Sequence, residues 1–171
     1  TMSHERWEFA AQTANQIATQ VTDSTGLRTV YHPHCATFVE SPQEVEFMME
    51  ITHPNVLGLC LDTGHYAYGG GNPLALVHRY GERIWHVHYK GYNADLGAEA
   101  RIREMNYSQA IDQGVFSELQ DSHLDFRAIT EALEDHGYDG WIVVEQDMNP
   151  DHGHPLESAK RNRDFLKGLG L

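Results

Sequence analysis

Cationic residues, cysteines and long apolar runs are all scarce in this chain, and each shortage narrows what it can be. Lysine and arginine total 12 against 25 acidic residues, a formal charge of −13. A surface of that sign repels nucleic acid and anionic lipid, so neither is expected as a partner. No apolar run approaches the ~20 residues of a membrane helix, and the opening "TMSHERWEF" has no cationic and then apolar leader. The expected location is the cytoplasm. The only cysteines are Cys35 and Cys60, too few for a disulfide framework. Cys60 lies in an apolar run and is expected as a buried thiol. Proline and glycine are not in excess and 40% of the residues are apolar, a globular balance rather than a disordered or collagen-like one. A chain of 171 residues fits one domain, residues 1–171.

What the sequence has in abundance is histidine, with 12 residues. His4, His78, His136, His152 and His154 sit among polar neighbours and are expected to be solvated. Others gather at the ends of apolar runs. Those runs alternate with helical patterns. "ERWEFAAQTANQIATQVT" (5–22) has helical spacing, "LRTVYHPH" (27–34) reads as a strand, and "SPQEVEFMMEI" opens with a capping box from Ser41 and Glu44 around Pro42. "VLGLCLD" (56–62) is a buried strand, "NPLALVHRYG" (72–81) a short helix and "RIWHVHYK" (83–90) a third strand. A long excursion over 91–124 has helical character around 97–112. "DFRAITEALEDHGY" (125–138) is a helix, "GWIVVEQD" (140–147) a fourth strand and "PLESAKRNRDFLKGLG" (155–170) a last amphipathic helix. Apolar strands alternating with helices imply an α/β fold with parallel strands.

The strand ends read "YHPH", "LDTGH", "HVHYK" and "VVEQD". Strand C-termini of such folds line one edge or mouth, where ligands bind. His34, Asp62, His88 and Glu145 are therefore expected to converge, a mixed nitrogen and oxygen set suited to one divalent metal: Mn, Co, Zn or Mg. Taken singly, each has a bland reading as a structural histidine, a turn-capping aspartate or a solvated strand end. A carboxylate closing "LGLCL" is costly to bury alone, and a cation or histidine donors would meet that cost. "YGGGNP" behind it is expected to form a mobile rim.

"YHPHCAT", "LCLDTGH", "RIWHVHYKG", "GYDGWIVVEQD" and "SAKRNRDFLKGLG" resemble the xylose-isomerase-like sugar isomerase/epimerase TIM-barrel superfamily, and within it look most like the inosose (2-keto-myo-inositol) dehydratase group. The resemblance runs from about residue 20 to the end. It implies a (β/α)8 barrel with a divalent metal at the C-terminal mouth, held by Asp62, His88 and Glu145, with His34 where sugar epimerases carry a glutamate. It also implies a keto-polyol or sugar substrate. Losing one of two carboxylates favours dehydration over epimerisation, since elimination needs one base and one acid. Glu145 is the candidate base, and His65 or His32 the candidate acid. Lys90 is a candidate for binding substrate oxygen, with a plain salt bridge as the alternative. Gly91 departs from the acidic residue usual after "HVHxK", and "LQDSHLDF" departs from the usual glycine-rich turn. Arg101 and Arg103 stand either against an anionic group or exposed on a helix.

A complete barrel has eight strands and ~250 residues. The four strands here correspond to strands 5–8, the C-terminal half. The expectation is a piece of a longer polypeptide, or else a half-barrel that pairs with another chain as a homo-oligomer. Two enzyme readings follow, a metal-dependent lyase (dehydratase) and a sugar isomerase or epimerase. A third reading is an inactive half-barrel binding or assembly module.

Overall fold

The computed structural model describes residues 2–148 and 153–171; of the residues singled out above, His152 lies outside them. The chain alternates helix and strand: α1 (His4–Thr25), β1 (Thr29–Tyr31), α2 (Pro42–Ile51), β2 (Leu57–Asp62), α3 (Thr63–Tyr68), α4 (Pro73–Tyr80), β3 (Ile84–Tyr89), α5 (Ala94–Ile102), α6 (Tyr107–Asp112), α7 (Phe126–Asp135), β4 (Ile142–Val144) and α8 (Pro155–Leu169). The strands form a parallel four-stranded sheet in the order β1-β2-β3-β4. No helix among the described residues is long and apolar enough to cross a membrane.

Local chemistry explains the element boundaries. The capping box of α2 is formed: Ser41 Oγ accepts from the Glu44 amide, and Glu44 Oε2 accepts from the Ser41 amide at 3.0 Å. Asp62 caps α3, a helix not foreseen from the sequence, by accepting the His65 amide at 2.8 Å. The excursion splits into α5 and α6, separated by Glu104 at a φ of 50°.

Strand alternation places the core and the site on opposite faces of the sheet. Leu57, Leu59 and Leu61 of β2 join Val87 and Tyr89 of β3 in one apolar cluster with Ile129, Leu133 and Leu166 of the covering helices. Cys60, Asp62 and His88 point the other way, and Asp62 pairs in register with His88. Both cysteines are buried and free. β2 is buried throughout, whereas β1 and β4 have three residues each and are only partly covered.

Gly64 of "DTGH" has a packing reason. A Cβ there would lie 2.5 Å from Lys90 Cγ, so glycine lets the lysine stem run beneath α3. Gly91 is likewise required, because a Cβ would overlap the Ser117 carbonyl oxygen; an acidic residue has no room there. Among the histidines expected in solvent, His4, His78 and His154 are exposed. His136 is half-buried instead, its Nδ1 2.8 Å from the Ala132 carbonyl and its ring against Gly81. Gly64→Ala is expected to lower unfolding stability by about 1–3 kcal/mol through overpacking. Gly168→Ala, with open space on α8, is expected to be neutral or to stabilise by up to about 1 kcal/mol. Urea denaturation measures both.

Candidate metal centre

The ends of β2, β3 and β4 bring three of the expected ligands together. One donor atom each from Asp62, His88 and Glu145 lies within 4.8 Å of the others. His88 Nδ1 is 3.0 Å from Glu145 Oε1 and 3.7 Å from Asp62 Oδ2. Glu145 reaches the group because its amide donates to the Tyr89 carbonyl at 3.1 Å, carrying the β3–β4 pairing past Val144.

His34 does not join this group. Extending the β1–β2 register from Tyr31↔Leu59 would level it with Asp62, but β1 stops at Tyr31. The chain then turns through Ala36 at a φ of 60°, and Thr37 Oγ1 donates to the His34 carbonyl at 2.6 Å. The His34 ring ends against that of His65, with centroids 3.6 Å apart. His32 takes the place beside Asp62, its Nε2 3.6 Å from Oδ2.

Lys90 is 1% exposed. Its Nζ lies 2.7 Å from Asp147 Oδ2, 2.9 Å from Glu145 Oε2 and 3.7 Å from Asp62 Oδ2. Burial alone would lower its pKa, but Asp62 and the hydrogen bonds to Asp147 and Glu145 raise it, so the ammonium persists. Burial would likewise raise the Asp62 carboxyl; His32 and His88, 3.6 and 3.7 Å from its Oδ2, and the Lys90 ammonium hold it well below the usual range. Asp147 is also lowered, its burial outweighed chiefly by the Lys90 hydrogen bond and charge. Burial, with help from Lys90 and His34, brings His65 down to about 3, so it is neutral at neutral pH.

Three carboxylates against one ammonium leave two negative charges when the imidazoles are counted neutral. Two like charges at such separations cost roughly 3–4 kcal/mol at an effective dielectric near 20. Four buried atoms beside these charges, Asp62 Oδ2, His32 Nε2, His88 Nδ1 and His65 Nε2, have no hydrogen-bond partner. Such atoms are rare in folded proteins and call for an explanation. Their donor chemistry and the residual charge both fit a dication.

Asp147 and Tyr107 were not singled out from the sequence. Asp147 stands two residues beyond Glu145, and alternation along the strand would have put both on one face. Tyr107, at the start of α6, donates to Asp147 Oδ2 at 3.0 Å; nothing in the excursion's pattern marks it. Arg103 pairs with Glu99 at 2.8 Å and Arg101 reaches the Tyr68 carbonyl at 3.3 Å, so neither faces the centre.

The chain belongs to the xylose isomerase-like TIM barrel family, whose model matches residues 2–169. It is similar to the inosose dehydratase of Geobacillus kaustophilus (strain HTA426), 34% identical over 168 residues, 98% of this chain and 54% of the relative. The rhizopine catabolism protein MocC of Rhizobium meliloti is 36% identical over 162 residues, 95% of this chain and 49% of the relative. This chain thus spans about half the length of the curated relatives it matches. Among solved structures, a probable 3-DHS dehydratase from Bacillus anthracis superposes with a TM-score of 0.73 at 17% identity, covering 97% of this chain and 58% of that one. An L-ribulose 3-epimerase gives 0.69 at 16% identity, covering 99% and 55%.

The lowered His65 pKa has a stability consequence in the metal-free protein. The unfolded chain binds a proton near the ordinary value of 6.5 and the folded chain only near 3. Stability is therefore complete above 6.5 and is lost as pH falls toward 3. At pH 5 with EDTA the loss from this group is expected to be about 2 kcal/mol, and His65→Gln is expected to flatten it in urea titrations at pH 5 and 7.

Proposed function

We propose that this chain carries the metal-binding part of a divalent-metal-dependent lyase that dehydrates a keto-polyol of the inosose kind. The observation that supports it most is the gathering of Asp62 Oδ2, His88 Nδ1 and His32 Nε2, all buried and without hydrogen-bond partners, beside two uncompensated carboxylate charges. Asp62, His88 and Glu145 are the side chains that would hold one ion of Mn, Co, Zn or Mg. His34, expected as the fourth ligand, serves elsewhere in this reading. The relatives bearing the name inosose dehydratase support dehydration as the reaction.

When bound, the ion supplies Lewis acidity to a ketone, which acidifies the neighbouring C–H. Glu145 accepts that proton. Lys90 Nζ, held charged between Asp147 and Glu145, supplies the positive field that favours negative charge developing on the substrate oxygen. A double bond forms as the β C–O bond breaks, and His32 gives the departing hydroxide the proton that makes it water. His65, neutral and tied to Cys35 at 2.8 Å, orients its neighbours instead of acting as the acid.

A second reading, epimerisation or aldose–ketose isomerisation, draws support from Asp147, a further carboxylate 2.7 Å from Lys90 that could serve as a second base. Product mass separates the two: dehydration loses one water, whereas isomerisation conserves mass.

We infer further that the chain corresponds to strands 5–8 of a barrel. Its sheet has two open edges. Beside β4 lies a groove of about 620 Å³ lined by Trp141, Ile142, Val144, Met148, Leu166 and Leu171 among others. Trp141 is 84% exposed. Four further strands, from the same polypeptide or a partner, would cover these edges and enclose the substrate.

Thermal melting tests the metal reading. Mn, Co or Zn at 100 times its Kd is expected to add about 2.7 kcal/mol of stability, reversed by EDTA. With Mn, Asp62→Ala should abolish the shift and His4→Ala preserve it. A melting temperature indifferent to all three ions would contradict the proposal.

A further inference from the structure

Beside the carboxylate group lies a second set of donors with a softer character. Cys35 Sγ is 2.8 Å from His65 Nδ1. The His34 ring leans on the His65 ring, 3.6 Å between centroids and 39° between planes. Cys35 is 1% exposed and His65 2%. One donor atom from each of His34, Cys35 and His65 lies within 4.8 Å of the other two. None of the roles assigned above uses the thiol as a ligand.

The His34 ring is oriented as a metal ligand would be. Its Nδ1 lies 2.7 Å from the Cys35 carbonyl oxygen. A carbonyl only accepts, so Nδ1 carries the proton and Nε2 keeps its lone pair. A histidine ligand is commonly held this way, one N–H tied to a backbone carbonyl and the other nitrogen free. His65 has its Nδ1 toward Cys35, while its buried Nε2 has no hydrogen-bond partner and belongs to the group with His32 and Asp62. Its ring therefore stands between the two donor sets. Tyr107 and Phe116 wall this side, with ring centroids 5.5 Å from His34 and 5.3 Å from His65.

We propose that His34, Cys35 and His65 form a second metal site, selective for a thiophilic ion such as Zn(II) or Co(II), next to the oxygen-rich centre. Two imidazole nitrogens and a thiolate suit zinc or cobalt far better than magnesium or manganese, which prefer oxygen. Binding exchanges the Cys35 S–H proton for a metal–sulfur bond. The proton leaves to solvent and no electron is transferred. Three protein donors leave a tetrahedral ion one position for water or a substrate hydroxyl.

Cobalt(II) alone, titrated into the full chain, tests the site. Thiolate ligation gives a near-ultraviolet charge-transfer band that nitrogen and oxygen ligands do not, and metal analysis after dialysis counts the ions. The wild type is expected to bind two ions per chain and show the band. Cys35→Ser should lose the band and one ion, while Asp62→Ala loses the other ion and keeps the band. Cys60→Ser should keep both, which separates Cys35 from the other buried thiol. His34→Gln is expected to weaken the band-forming ion by more than the roughly 10–100-fold that loss of a ligand's supporting hydrogen bond costs. It stands in for Cys35→Ser should that variant fail to fold. No band in the folded wild type, or a band that follows Cys60, overturns the proposal. The single ion lost in Asp62→Ala reports on the oxygen-rich centre separately.

Discussion

Everything at the mouth of this sheet turns on one carboxylate oxygen. Asp62 is 2% exposed, and while its Oδ1 caps α3 by accepting the His65 amide, its Oδ2 has no hydrogen-bond donor. A buried anion in that state is unfavourable by several kcal/mol unless charge of the opposite sign stands close. The lysine ammonium at 3.7 Å supplies part of it, but Lys90 is also shared with Glu145 and Asp147. The arrangement is balanced only by a further positive charge, and His88 and Glu145 are positioned to share with Asp62 in holding it.

The fold serves that requirement at several levels. Parallel pairing sets Asp62 directly beside His88. Leucines on the opposite face of β2 anchor the strand in the core, so the carboxylate cannot swing out to water. Gly64 clears the path for the Lys90 stem. α6 adds a lateral brace through the Tyr107 hydroxyl on Asp147. Packing, helix capping and electrostatics thus converge on the same few atoms, and the cost of clustering carboxylates is borne by the apolar burial behind them.

Much of this was legible in the sequence. The strand–helix order follows from apolar runs alternating with helical spacing, and the convergence of Asp62, His88 and Glu145 follows from where those runs end. His34 illustrates the limit. Strand parity alone groups it with His32, and only the turn at Cys35–Ala36 decides which imidazole sits beside Asp62. Such a turn has weak sequence signals, because Ala36 is an unusual residue at positive φ. Asp147 was within reach of the same alternation that found Glu145. Tyr107 was not, since its role depends on how a loop-rich excursion folds back over the sheet. α3 leaves no periodic signal, because its six residues make fewer than two turns before the glycines of "YGGGNP" end it.

The most direct test of the account is anomalous diffraction from crystals grown with manganese. A single anomalous peak bonded to Asp62, His88 and Glu145 at distances normal for a divalent ion is expected, with Lys90 still paired to Asp147. A peak held only by surface carboxylates, or none at this position in well-ordered crystals, would contradict it.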